Sequence, residues 1–314
     1  MRRPIYTDPK RLLADLGTEA ETLSKPPFPF RVPASFAGRI EPGNPEDPLL
    51  LQVLPRPEEL ERRPGFSDDP LGERSFQPLP GLIHKYHGRV LLITTPACSI
   101  YCRYCFRRAF PYGEATLSGK RLEAAIAYLR GRREVEEVIL SGGDPFMLSN
   151  RRLEELFLAL AELPHLERIR IHTRVPVAEP ERISRELLQL LASSPRPTVV
   201  VIHCNHPREL TGEVALALAG LRESGASLFN QAVLLRGIND TPEQQIDLWK
   251  RLFELGVLPY YLHLLDRVTG SASFEVPEPD AKRIYRRMRE RLPGYLLPRL
   301  VREIAGVPYK WPLL

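Results

Sequence analysis

The chain has 314 residues, 43% hydrophobic and 26% charged, with a formal net charge of +5, enough to bury a full core as two ordinary domains or one large barrel. It has no apolar run of membrane-spanning length, and the opening MRRPIYTDPKRLLADLG lacks the apolar stretch and cleavage site of a secretory signal, so a cytoplasmic protein is expected. Basic residues are scattered among acidic ones rather than gathered in a block, which argues against a nucleic-acid or membrane partner.

Residues 1–81 carry many prolines (KPPFPF, RVPASF, LPRPEEL, FQPLPGL) and only weak helical patterns, such as the one at 8–16. Proline removes ladder donors and interrupts helices, so this part reads as an irregular arm laid over something else. From about residue 88 short apolar runs alternate with amphipathic stretches. Strands are predicted at 90–94, 138–140, 169–171, 199–202, 228–234 and 260–264, and helices at 120–130, 150–162, 180–191, 213–223 and 242–254. Ser149, Glu179-Pro180 and Thr241-Pro242 signal helix starts, and Gly225 and Gly256 signal stops. Such alternation builds parallel sheet through right-handed crossovers. Six units imply a partial (βα)6 TIM-like barrel over 82–276, closed by a helix and a short C-terminal segment at 277–314; a doubly wound open sheet satisfies the same periodicity.

Both architectures gather functional groups at the carboxyl ends of the strands. The first predicted strand is followed by Thr94, Thr95 and a cysteine loop, and the second by SGGDP (141–145). HTR (172–174) and HCNHP (203–207) follow the third and fourth. The fifth carries Asn230 and Gln231, and the sixth ends in HLLDR with His263 and Asp266. Turn chemistry alone would place Gly, Asn and Asp there. So many titratable side chains at one end make a catalytic face the better reading.

The sharpest signal is CSIYCRYCFRRAF (98–110), in which Cys98, Cys102 and Cys105 are spaced CxxxCxxC. Three thiolates are one short of a closed zinc site, which His87, Cys204 or His206 would have to complete. They also suit an iron–sulfur cluster that leaves one iron free for an external chelator, and a single loop of this kind favours that option. Cys204, about a hundred residues further on, reads as a packed core thiol. In SGGDP, Gly142 and Gly143 would let backbone approach a ligand closely.

The ordered motifs PGFSDDPLGE, HKYHGRVLLITT, CSIYCRYCFRRAFPY, LSGGDP, IHTRVPV, HCNHP, NQAVLLRGIND, PYYLHLLD and GYLLPRLVREIAGVPYK resemble the radical S-adenosylmethionine (SAM) enzymes. Within that family they are similar to the lysine 2,3-aminomutases over residues 50–312, most of all to the short branch that supplies β-lysine for elongation factor P. The resemblance implies a 4Fe-4S cluster on Cys98, Cys102 and Cys105, with SAM on the open iron and near Gly142, Gly143, His203 and Gln231. It implies pyridoxal phosphate joined to Lys310 of GVPYK and anchored by Lys85, Tyr86 and Arg89, with Arg107 taking the carboxylate of L-lysine and Asp266 its distant ammonium. The longer relatives have a second aspartate seven residues before the cofactor lysine, where this chain has Glu303.

The implied partners are L-lysine and a reduced flavodoxin or ferredoxin as electron donor, with no nucleic acid and no membrane. A homo-oligomer is compatible, but the tetramer of longer relatives is not carried over, because the sequence stops four residues after Lys310. Two other functions remain in view: a related aminomutase acting on ornithine, arginine or glutamate, and a zinc-stabilised nucleic-acid module. Acidic groups facing the substrate side chain disfavour glutamate, and scattered charge disfavours the nucleic-acid module.

Overall fold

The computed structural model describes residues 4–117 and 119–314. A small antiparallel pair, β1 (Ile5–Tyr6) and β2 (Val32–Pro33), lies in the arm. The nine other strands form one sheet in chain order: β3 (Leu82–Tyr86), β4 (Arg89–Thr95), β5 (Glu137–Gly142), β6 (Arg168–Thr173), β7 (Thr198–Ile202), β8 (Ser227–Val233), β9 (Leu258–His263), β10 (Arg299–Arg302) and β11 (Trp311–Pro312). Strands β4 to β10 run parallel, while β3 and β11 add antiparallel edges. The order starts at β3 and ends at β11 without pairing them, so the sheet is the open, partial barrel expected. It gains a seventh parallel strand, β10, whose Leu300 and Val301 are buried against β9.

Helices cover the sheet because each buries one stripe. Lys120–Arg130 puts Ala125, Ile126 and Leu129 inward, and Asn150–Ala161 puts Leu153, Leu156, Phe157 and Leu160 inward. At about 2 kcal/mol per large apolar side chain, such a stripe outweighs the weak intrinsic preference of any one helix. Ser149 caps the second of these through Arg152 N, and Thr241 with Gln244 forms a capping box before Pro242–Glu254. The predicted helix at 180–191 is broken: a 3-10 turn spans Pro180–Arg182 and the helix starts only at Arg185–Ala192. Ser184 accepts from Leu187 N there and takes the cap from Glu179-Pro180.

The arm has an apolar cluster of its own. Leu12, Val32, Phe36, Leu49, Leu50 and Val53 are fully buried and pack with Ile100 of the cysteine loop and with Ala178. Proline works with the local folds here, because Pro9 and Pro48 stand at helix starts whose caps are Asp8 and Asp47. Among the described residues no helix is long and apolar enough to cross a membrane.

Candidate active site

The carboxyl ends of β4 to β9 open into a cavity of ≈ 290 Å³, at the lower edge of the size usual for small-molecule sites. It is walled by the cysteine loop, the strand ends and the C-terminal segment, and the fourteen residues to which the resemblance assigns cluster, cofactor or substrate contacts all line it. The zinc alternatives fare differently: His87, Cys204 and His206 are not in its wall. Cys204 is fully buried in the main core, its thiol 3.5 Å from the carbonyl of His206.

The cysteine loop is fastened from the arm side. Tyr101 N donates to Arg31 O and Arg103 N to Gln52 O, at 3.0 and 2.9 Å. Arg103, fully buried, grips Glu59 through Nε and Nη2 and the carbonyls of Phe28 and Pro29 through Nη1. Arg108 shares the Glu59 carboxylate and reaches the carbonyl of Gly270 on the far rim. No three described His, Cys, Asp or Glu side chains converge as the donors of one ion do. Three thiols on one loop could each take one iron of a cluster and leave a fourth iron open. Burial pushes the Cys98 thiol well up and that of Cys105 to about 11, so iron would have to displace protons.

The glycines of SGGDP line the cavity, and they also admit a close backbone neighbour. A Cβ on Gly143 would lie 2.3 Å from the carbonyl oxygen of Ala97, and one on Gly142 (φ 120°) 2.8 Å from that of Thr95. Backbone is what approaches: Gly143 N donates to Thr95 O and Asp144 N to Ala97 O, both at 2.7 Å. The missing side chains let β5 lie against the entry to the cysteine loop. Asp144 then ties down the next strand end, accepting from Thr173 Oγ1 (2.7 Å), Arg174 N (2.6 Å) and Val175 N (3.1 Å).

Arg174, to which the sequence assigned no role, is the centre of a buried network. Its Nη1 donates to Cys102 Sγ and Tyr104 Oη at 2.6 and 2.8 Å, and its Nη2 to Gln52 Oε1 and Glu209 Oε2 at 2.7 and 3.0 Å. Tyr104 also stands 3.0 Å from His203 Nε2. Burial, with Arg174 adding to it, lowers His203 to about 3, so the imidazole is neutral.

Near the end of the cysteine loop Arg107 lies along Glu73, with Nε to Oε2 at 2.8 Å and Nη2 to Oε1 at 2.6 Å, while Nη1 donates to Ser141 Oγ. Three of its five N–H donors are thus in use. The tip of the arm segment contributes Glu73, the last residue of PGFSDDPLGE, and no signal short of that motif marked it. His172 faces the cavity with Nε2 unpaired. Burial first, then Arg170, Lys310 and Arg107, hold it well below the usual histidine range, so it is a neutral group among cations.

The C-terminal segment brings Lys310 in. Its Nζ lies 2.5 Å from Glu303 Oε2, and Glu303 Oε1 accepts from Lys85 Nζ and Tyr86 Oη, each at 2.9 Å. Burial would raise Glu303, but the ammonium groups of Lys310 and Lys85 hold it well below the usual carboxylate range. Asp266 is different. Burial and then the Glu303 charge raise it to about 7, and its carboxylate has no ion pair among the described residues. Arg89 stacks its guanidinium 4.6 Å from the Tyr86 ring and faces the same space. The cavity fits the implied groups: three thiols in one loop at one end, a lysine at the other, and an arginine suited to a phosphate between strand ends.

Residues 92–265 match the family model of the Radical SAM superfamily. The chain is 44% identical over 98% of its length to the L-lysine 2,3-aminomutase of Escherichia coli (strain K12), covering 92% of that protein. It is likewise 44% identical to that of Haemophilus influenzae, over 97% of this chain and 91% of the relative. With the L-lysine 2,3-aminomutase of Clostridium subterminale the identity is 38% over 89% of this chain, covering 67% of that longer protein. Among solved structures, a radical SAM methyltransferase from Sphaerobacter thermophilus shares the fold at a TM-score of 0.50 and 17% identity, covering 70% of this chain and 68% of that one.

Proposed function

The chain belongs to the radical SAM superfamily and to its L-lysine 2,3-aminomutase branch, and on that premise we propose that it is an isomerase moving the 2-amino group of L-lysine to carbon 3, giving β-lysine. The observation that carries this reading is one cavity lined by the cysteine loop with Arg107, by Asp266 just beyond β9 and by Lys310 of the C-terminal segment.

Cys98, Cys102 and Cys105 would hold the 4Fe-4S cluster, and the surfaces of Gly142, Gly143, His203 and Gln231 would receive SAM. Pyridoxal phosphate would sit on Lys310, with Arg89, Lys85 and Tyr86 placed to take its phosphate. When bound, these groups supply a radical initiator and a ring that stabilises an unpaired electron.

The protein's own contribution is placement. Arg107, immobilised on Glu73 and Ser141, offers its two remaining N–H donors to the substrate carboxylate. An ammonium at the other end of the substrate finds Asp266, with Glu303 beside it. Burial of Tyr104, His203 and Arg174 on the cluster side keeps water from that end.

The near-complete coverage of the shorter bacterial relatives supports the short form, whose product would modify elongation factor P, with reduced flavodoxin or ferredoxin as electron source. The deciding experiment is incubation of reconstituted protein with L-lysine, SAM, pyridoxal phosphate and dithionite under argon. β-Lysine is the expected product. Its absence with a fully loaded cluster would overturn the assignment, and conversion of ornithine or arginine in preference would move it to a sister activity.

A further inference from the structure

We propose that Arg174 is a positioning residue for the cluster: it fixes the Cys102 sulfur in place and, by its charge, raises the reduction potential of the 4Fe-4S group that this sulfur would ligate. The proposal rests on the reading of the cysteine loop given above and assigns a role to a residue outside that loop.

Arginine keeps its charge at any pH a folded protein meets, and here the charge is aimed. Nη1 lies 2.6 Å from Cys102 Sγ, and among the described residues Cys102 is the one cysteine of the three whose sulfur takes a bond from a side chain. A neutral thiol is a weak acceptor. A sulfur carrying negative charge, as one bound to iron does, is a strong one, and a guanidinium bond to it is charge-assisted.

The guanidinium is held from several sides. Arg174 N donates to Asp144 Oδ2 at 2.6 Å, which fixes the backbone just beyond β6, while Nη2 is tied to Gln52 Oε1 and Glu209 Oε2. The guanidinium carbon stands 5.5 Å from the centre of the Phe36 ring. Glu209 is fully buried and fixed in turn, accepting on Oε1 from Gln52 Nε2, Asn205 N and His206 N. An ion pair that served stability alone would be complete at Nη2. The Nη1 bond to sulfur is additional, and the arm helps to hold it through Gln52 and Phe36.

Cluster potentials follow net charge and the hydrogen bonds made to the sulfurs. An electron entering the cluster adds negative charge, which a cation on a ligand sulfur favours. Removing that cation also leaves the Glu209 carboxylate uncompensated, and both changes make reduction harder.

The test is a redox titration with dithionite, followed by electron paramagnetic resonance, on full-length protein reconstituted with iron and sulfide. SAM, pyridoxal phosphate and lysine are left out. Arg174→Gln should move the reduction equilibrium toward the oxidised cluster by about tenfold or more, which is about 59 mV for a one-electron couple. Arg174→Lys keeps the charge and should recover most of that shift. If Arg174→Gln does not fold or load, combining it with Glu209→Gln leaves no unpaired carboxylate, and a shift of the same sign is expected because the donor touching the sulfur is lost. An unchanged potential in the loaded glutamine variant, or a lysine variant displaced as far as the glutamine one, would overturn the role of Arg174 and leave the cluster reading intact. A wild type that takes up no four-iron cluster would overturn that reading, and the proposal with it.

Discussion

Arg107 and Glu73 form a two-point ion pair across 34 residues of sequence, with both side chains under a tenth exposed. Burial alone would weaken the Arg107 charge, and Glu73 more than compensates, raising its pKa. Glu73→Ala leaves a buried guanidinium without its carboxylate, which costs about 3 kcal/mol or more. Urea unfolding of the cluster-free protein should show that loss. Arg107→Lys cannot span two acceptors and should raise KM for L-lysine; an unchanged KM would exclude Arg107 from carboxylate binding.

As the proposed seat of the substrate's ammonium, Asp266 would give L-lysine binding a pH dependence of defined sign. Its carboxyl is raised to about 7 by burial and then by Glu303, with Glu73 adding to the rise while Lys310 and Lys85 oppose it. Below that value it is neutral and offers no charge to an ammonium; above it the pair forms. The preference for L-lysine over L-2-aminohexanoate should therefore fall as pH drops through 7, by up to about tenfold per unit. Asp266→Asn should show a flat ratio. A wild-type ratio independent of pH between 6 and 8 would contradict the ionisation assigned to Asp266.

Gly143 separates two uses of a missing side chain. If it served only a bound ligand, Gly143→Ala would leave the cofactor-free protein as stable as wild type. The Ala97 carbonyl, 2.3 Å from the new Cβ, is backbone and cannot swing aside, so a loss of at least about 1–3 kcal/mol is expected before any ligand is added, the range for overpacking. Thermal melting of the apo-protein measures this directly, together with the iron retained after reconstitution.

The alternation of apolar runs with amphipathic stretches was readable because the strands of the parallel sheet carry buried apolar residues and the helices that cover them bury one stripe each. Strands β5 to β9 and the helices Lys120–Arg130 and Pro242–Glu254 lie where those periods put them. The helix expected at 180–191 failed where two start signals compete, and Ser184 prevails through its side-chain bond. Strands β3 and β10 were not foreseen: LIHKY carries polar residues toward the cavity, and RLVR is too short to show a period.

Strand ends exposed most of the cavity in advance, since polar residues after an apolar run stand out. What stayed hidden was long-range pairing. Gln52 meets Arg174 across 122 residues and Glu209 across 157, and Glu59 meets Arg103 across 44. No local pattern encodes such partners. The glycines of SGGDP were found, but the backbone of the cysteine-loop entry that packs against them was not, because a sequence shows that a Cβ is absent without showing what fills its place.

The cluster that unites Leu12, Phe36 and Leu50 with Ile100 and Ala178 also bears on how the polypeptide is made. The first sixty residues leave the ribosome before Ile100 and Ala178, the two buried members of their cluster that come from elsewhere in the chain. The cysteine-bearing turn takes its shape from the carbonyls of Arg31 and Gln52 in that same arm. Shaping the cysteine loop thus requires the arm and the barrel segment to be packed together.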